Sequence, residues 1–375
     1  MTEIYLIRHT QAEGNRYRIM QGHWDGGVTA TGLKQIELLA ERFRDLPVDA
    51  VYSSDLYRAR LTATAVTRWG GQELQIDTRL REINVGPWET QFFGNVFHDE
   101  PERAYRFVRD PETFSLEGAE TYAQVRRRAC EALEAIARTN PGRRVAVVSH
   151  GVTIRCALSG ITGIDLRDVE RLPICKNTAV THLLWDGERF SLDYYNDASH
   201  LAPLGEAPWS RNGDVRHERF DPASDPDFYK DCYADAWLAA HGDLEGFSAP
   251  GYYHAAREHY RRDPDSVLRM LVEDRCIGLL DMDTARGAHA GYGWISLVYL
   301  KPEYRRQGYG IQLLGRAYLH YQALGRKSVR LNVAEENRAA RAFYEKEGFS
   351  LLGGDGGAKG LLLMEKKLEG VRHGG

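Results

Sequence analysis

Glu3-Ile4-Tyr5-Leu6-Ile7-Arg8-His9-Thr10 decides how the first half of this chain folds. The run is apolar and β-prone up to Ile7, so a buried strand would deliver His9 at its carboxyl end. Sheets of α/β proteins place ligands there. Taken alone, a histidine beside an arginine at such a point is either a nucleophile with a charge partner for phosphate or a satisfied polar cap.

A second run, Val145-Ala146-Val147-Val148-Ser149-His150-Gly151, also ends on a histidine, with a helical pattern from Val152 to Leu158 behind it. Two strand-end histidines predict one pocket. Between them, Arg58 stands at the start of a helix after the strand 48–52. Glu82 lies in Leu80-Arg81-Glu82-Ile83-Asn84-Val85-Gly86-Pro87-Trp88-Glu89, a loop that also holds Glu89 as a rival carboxylate.

Further motifs follow in order: Asn15, Gln21-Gly22-His23-Trp24-Asp25, Val28-Thr29-Ala30-Thr31-Gly32, Glu117-Gly118-Ala119-Glu120-Thr121, Asn177-Thr178-Ala179-Val180 and Asn196-Asp197-Ala198-Ser199-His200-Leu201. With the two histidine motifs, the set resembles the histidine phosphatase (phosphoglycerate mutase-like) superfamily over roughly the first half of the chain. Thr10 and Gln11 stand where Gly-Glu is commoner, and Asn84 where Asp is common; neither departure removes a group the chemistry needs.

A phosphate monoester needs cations for its oxygens, a nucleophile in line with the leaving group, and a proton for the departing alkoxide. Arg8, Arg58 and His150 supply the first need, assisted by Asn15, Gln21 and the Gly151 amide, although Asn15 and Gln21 also fit ordinary turn positions. His9 is the better nucleophile because Arg8 is fixed beside it. The resemblance implies a phosphohistidine at His9 that water later hydrolyses. Glu82 would protonate the leaving oxygen and then activate that water. No metal is needed.

The chain has 375 residues, 43% hydrophobic and 27% charged, which fits two globular domains. A formal charge of −4 argues against nucleic-acid binding through a basic surface. Five cysteines without a C-x-x-C pair imply neither a disulfide framework nor a zinc cage. The start lacks a basic segment followed by an apolar one, and apolar runs near membrane-spanning length are missing, so the expected location is the cytoplasm, away from membranes. Strands and helices alternate from residue 3 to residue 149, which predicts a largely parallel sheet covered on both faces, finished by strands at 179–185 and 190–195. Residues 88–116 form an aromatic-rich insertion, expected either as a lid over the phosphate pocket or as a small helical subcore. Its shortness favours hydrolysis over mutase chemistry. Pro203, Gly205, Pro208, Ser210, Asn212 and Gly213 mark a linker.

The second half starts with a helical, aromatic region and continues with strands at 267–273, 276–282 and 294–300, an antiparallel pattern. His254 and His259 are five positions apart, about 140° around a helix, which excludes shared metal ligation. Arg305-Arg306-Gln307-Gly308-Tyr309-Gly310 forms a glycine-bearing turn entering a long helix, a shape that offers free amides to a pyrophosphate. It lacks the third glycine of a dinucleotide fingerprint and the Gly-Lys-Ser/Thr of a P-loop. A strand at 328–333 and the helix Asn337-Arg338-Ala339-Ala340-Arg341-Ala342-Phe343-Tyr344 follow.

Together these resemble the GNAT family of acetyl-CoA-dependent N-acetyltransferases over roughly 215–368. The resemblance implies that Arg305, Arg306, Gln307, Gly308, Tyr309 and Gly310 hold the pyrophosphate of acetyl-CoA. The backbone of Val298 and Leu300 would line the pantetheine arm, Asn337 would touch the cofactor, and Tyr344 would protonate the departing thiolate. The strand 294–300 carries no carboxylate to act as base, leaving Tyr292, Tyr299 or a water chain.

The expected fold class is therefore α/β: an N-terminal three-layer αβα histidine phosphatase fold with a mostly parallel sheet at 1–204, a linker at 205–213, and a C-terminal α+β GNAT fold with a mostly antiparallel sheet at 214–375. The expected partners are a small-molecule phosphate ester and a small amine, with no nucleic acid and no membrane; homo-oligomerisation is left open. The expected function is a bifunctional phosphatase and N-acetyltransferase. The alternatives are a phosphatase carrying a non-catalytic acyl-CoA-binding module, and a phosphomutase.

Overall fold

A computed structural model describes residues 1–205, 215–355 and 360–368, with the side chains of 353–355 left out. Among these, the chain separates into two compact units, one of residues 1–91 and 96–205, the other of residues 92–95, 215–355 and 360–368. Apart from Gly205, the expected linker lies outside the described residues.

The first unit contains, in order, β1 (Thr2–Arg8), α1 (Glu13–Tyr17), α2 (Ala30–Arg44), β2 (Ala50–Ser53), α3 (Tyr57–Gly70), β3 (Leu74–Ile76), α4 (Phe93–Asp99, whose first residues belong to the second unit), α5 (Pro101–Arg109), α6 (Tyr122–Thr139), β4 (Arg144–Ser149), α7 (Gly151–Thr162), β5 (Val180–Trp185) and β6 (Phe190–Asp197). Its sheet runs β3-β2-β4-β1-β5-β6, parallel from β3 to β1 and antiparallel at β5 and β6. The alternation of β1 divides it between two cores: Ile4 and Leu6 pack with α6 and α7, Tyr5 and Ile7 with α2 and α3. A fully buried Leu or Ile of this kind stabilises the fold by about 1.5–3 kcal/mol. That double burial explains a strand read as a continuous apolar run.

Local signals fix the helix ends. Thr29 Oγ1 accepts the Gly32 amide at 3.0 Å to start α2, Thr121 and Gln124 form a capping box before α6, and Gly71 ends α3 at φ +66°. The aromatic insertion forms a subcore with the first residue of α6. Trp88, Phe107, Phe114 and Tyr122 are buried against one another, with ring centroids 5.0–6.1 Å apart.

The second unit continues with β7 (Arg216–Arg219), α8 (Pro226–His241), α9 (Ala249–Arg262), β8 (Val267–Val272), β9 (Arg275–Asp283), β10 (Tyr292–Leu300), α10 (Gly310–Ala323), β11 (Ser328–Ala334), α11 (Arg338–Lys346), β12 (Ser350–Asp355) and β13 (Leu361–Lys367). Its sheet has the order β12-β13-β11-β10-β9-β8-β7 and is antiparallel except between β10 and β11. Those two parallel strands pair only over Tyr292–Trp294, and β10 bulges between Ile295 and Leu297. Beyond Trp294 they part.

Candidate active sites

In the first unit, β1 and β4 lie side by side with Arg8 opposite Ser149, and the His9 amide donates to Ser149 O at 2.9 Å. This register brings the two histidine rings to 5.0 Å. His9, at the strand end, is only 3% exposed. Its Nδ1 lies 2.6 Å from the Thr10 carbonyl oxygen. A carbonyl only accepts, so Nδ1 carries the ring proton and Nε2 keeps the lone pair. Burial, reinforced by the charges of Arg58 and Arg8, holds His9 well below the usual imidazole range. His150 is held low by burial and then by Arg58 and His9. Both rings are neutral at physiological pH.

The cations are anchored from behind. Arg58, fully buried, donates Nη1 to Trp24 O at 3.0 Å and Nη2 to Gly22 O at 2.7 Å, with Asp25 at 3.6 Å. Arg8 donates Nη1 to Cys175 O. What remains is informative: Arg8 Nε, Arg58 Nε, both ring nitrogens of His150 and both amide atoms of Gln21 are buried without a hydrogen-bond partner in the protein. Buried polar groups are rarely left so, and a cluster of them points to a polar ligand. Gly151 belongs to the same wall, since a Cβ there would lie 3.3 Å from Arg8 Nε and 3.0 Å from Ile174 Cγ2. Asn15 commits its Oδ1 to the Ala12 amide at 3.0 Å and to Asn177 Nδ2 at 3.3 Å, which leaves only its own NH₂ for an anion.

Glu82 sits at the start of α7. Its Oε1 accepts the Ile83 and Thr153 amides at 3.1 and 3.0 Å, and its Oε2 the Val152 amide at 3.2 Å. The rival carboxylate, Glu89, is engaged elsewhere. It accepts the amides of Gly22, His23 and Trp24 at 3.2, 2.7 and 2.9 Å, clasping the loop whose carbonyls grip Arg58. Sequence reasoning missed Arg128, which donates to the carbonyls of Arg79, Arg81 and Glu82 at 2.7, 2.6 and 3.0 Å and pairs with Glu120. Asn177, read only as part of a motif, donates its Nδ2 to His9 O at 3.0 Å. Thr10 and Gln11 face the scaffold. Thr10 Oγ1 donates to Gly32 O at 2.6 Å, and the Gln11 amide donates to Gln35 Oε1 at 2.8 Å.

In the second unit, the divergence after Trp294 releases one edge of β10, so the backbone of Val298 and Leu300 can pair with an extended ligand arm. At the start of α10, Arg306 at φ +59° and Gly308 at φ +88° turn the chain, and no side chain caps the helix. Its first amides therefore remain for an anion, as a pyrophosphate requires. Gln307 is partly committed, its Nε2 donating to Glu303 O at 2.6 Å, whereas Tyr309 is buried at the helix start. A Cβ at Gly310 would press on Phe343 Cζ at 3.2 Å. Arg305 is largely committed elsewhere, donating Nε to Leu300 O at 2.8 Å and Nη2 to Asp235 at 2.6 Å, so Arg306 is the freer guanidinium. Asn337 caps α11 by accepting the Ala340 amide at 3.0 Å. Burial pushes the Tyr344 phenol up to about 12, a group that holds a proton to give. Tyr299 is raised by burial, then by Cys232 and Asp235, and so holds its proton more tightly; the Tyr292 ring lies under the Arg330 guanidinium at 3.9 Å.

A pocket built on two strand-end histidines with unpartnered buried donors matches what is known of one family. Residues 4–198 match the model of the histidine phosphatase superfamily, branch 1. The chain belongs to that superfamily. Residues 227–349 match the acetyltransferase (GNAT) family, so the superfamily domain is fused to a second one. Among curated relatives, "Putative phosphoserine phosphatase 2" of Hydrogenobacter thermophilus is 30% identical over 204 residues, 54% of this chain and 100% of that protein. "Probable phosphoglycerate mutase GpmB" of Escherichia coli is 30% identical over 206 residues, 54% of this chain and 95% of that protein. The solved structure of Bacillus stearothermophilus YhfR superposes with a TM-score of 0.52 at 29% identity, over 54% of this chain and all of that one.

Among the described residues, no group of three or more His, Cys, Asp or Glu is arranged to hold a metal ion, and no helix is long and apolar enough to cross a membrane.

Proposed function

We propose that the chain is a bifunctional enzyme that hydrolyses a small phosphomonoester through a phosphohistidine at His9 and acetylates a small amine, working in the cytoplasm. The observation that carries the first activity is the His9 ring: its Nδ1 proton is tied to Thr10 O, and Nε2 is left to attack beside unpartnered buried donors. Arg8, Arg58 and His150 take the phosphoryl oxygens as negative charge builds, with Gln21, the Asn15 amide and Gly151 completing the cradle. Nε2 forms a bond to phosphorus as the ester oxygen leaves with a proton from Glu82. Water then gives a proton back to Glu82 and attacks phosphorus, the His9–P bond breaks, and inorganic phosphate departs.

Bound acetyl-CoA would supply an activated acyl group to the second unit. The free edge of β10 would hold its arm, the amides at the start of α10 with Arg306 its pyrophosphate, and Tyr344 would hand a proton to the departing sulfur. The acceptor amine has to arrive neutral, because the strand facing it offers no carboxylate. That same lack favours the second reading, an acyl-CoA-binding module without turnover. The test is one metabolite screen on the full chain, with EDTA present, scoring inorganic phosphate and free CoA thiol. Acid-labile phosphate lost in His9→Ala supports the first activity. Thiol release with no amine would defeat the second, and isomerisation without phosphate release would make the first unit a mutase.

A further inference from the structure

Glu82 has to perform opposite acts in one cycle, giving a proton to the leaving oxygen and later taking one from water. Its two oxygens are not equivalent. Oε1 is held by the amides of Ile83 and Thr153, whereas Oε2 meets only the longer bond from Val152, so Oε2 carries the proton that moves. The Thr153 hydroxyl, buried in the first turn of α7, lies 2.7 Å from Arg81 O and 3.1 Å from Glu82 Oε1. It owns a single hydrogen, and both neighbours are acceptors. Arg81 O is not orphaned when the hydroxyl turns away, because Arg128 Nη1 also donates to it at 2.6 Å.

We propose that Thr153 is a positioning residue, a hydroxyl switch that follows the charge of Glu82. The proposal rests on the phosphohistidine reading. While Glu82 holds its proton on Oε2, the hydroxyl donates to Arg81 O. When that proton leaves with the ester oxygen, the hydroxyl rotates and gives Oε1 a third hydrogen bond just as the carboxylate gains its charge. When water returns a proton to Oε2, the hydroxyl swings back. No atom is exchanged with substrate; only the direction of one O–H changes. A charge-assisted bond is about twice as strong as a neutral one, so the hydroxyl stabilises the carboxylate over the acid and eases the proton's departure, while Arg81 O keeps the hydroxyl paired in the acid form.

The experiment compares Thr153→Val, nearly isosteric but without the hydroxyl, with Thr153→Ser, which keeps it, on p-nitrophenyl phosphate and on glycerol phosphate. Nitrophenolate needs no proton to leave, so Thr153→Val is expected to release about one nitrophenolate per chain at the parent rate and then turn over slowly, because hydrolysis of the phosphohistidine still needs Glu82 as base. On glycerol phosphate its first step should fall too, by roughly tenfold or more. Thr153→Ser is expected to recover most of both losses. Parent-like turnover of Thr153→Val on both esters, or equal damage in the serine variant, would overturn the switch. Absence of acid-labile phosphate on the unsubstituted protein would instead overturn the phosphohistidine reading beneath it.

Discussion

His9 shows how burial sets a rate-relevant property. Its depressed proton affinity, caused by desolvation and the two arginines, keeps Nε2 unprotonated well below pH 6.5. The pH profile of kcat/KM, which reports the free enzyme, is therefore expected to show no acid-limb break near 6.5; a break there would assign His9 an ordinary imidazole. Replacement of Glu82 by Gln keeps the shape and most hydrogen bonds but removes the proton. Its expected loss is roughly 10²- to 10⁴-fold on alkyl phosphates and much less for the first step on p-nitrophenyl phosphate, compared by single-turnover kinetics. Equal losses would leave Glu82 a positioning role. Arg8, His9, Arg58, Glu82 and His150 were legible in the sequence because each stands at a strand end, a helix start or the loop between. Arg128, Thr153 and the anchoring role of Glu89 were not, since they act on peptide groups far away in the chain, and peptide groups leave no residue signature.

At the scale of elements, the site is the meeting of β1, β4 and the first turn of α7. Gly151 is a tight point in that wall. An added methyl there would press on Arg8 and Ile174 by a few tenths of an ångström. Gly151→Ala is expected to cost roughly tenfold in kcat/KM, because small misplacements of a phosphate-holding group are expensive. Thermal stability should shift by only about 2–4 °C. A large fall in melting temperature with unchanged activity per folded molecule would contradict this. The helices and central strands were readable from their periodicity. β7 was not, since Arg216-His217-Glu218-Arg219 has the composition of a loop and pairs only at the sheet edge. β12 and β13 escaped too: they pair with each other at the sheet edge, and Gly353-Gly354 inside β12 blur the strand pattern.

For the molecule as a whole, stability should vary with pH through the second unit. His259, whose spacing from His254 rules out a shared metal, is buried between Asp281 at 2.7 Å and Asp283 at 3.4 Å, while Tyr229 donates to Asp281 at 2.7 Å. Against the cost of burial, these carboxylates raise His259 from 6.5 to about 9. A raised folded-state value means the contribution is fully present below pH 6.5 and is lost as pH climbs through 9. Calorimetry of the full chain should show one transition falling over that window, and His259→Gln should flatten the fall. An unchanged pH dependence in the variant would place the effect elsewhere. Finally, β1 is made before both of its neighbours and lies inside its sheet, flanked by β4 and β5 from residues 144–149 and 180–185. On a ribosome adding about 5–20 residues per second, it waits on the order of ten seconds with both edges open. Through that interval His9 exists without His150 beside it, and two open edges of an apolar strand make the nascent chain an aggregation hazard that chaperones would have to cover.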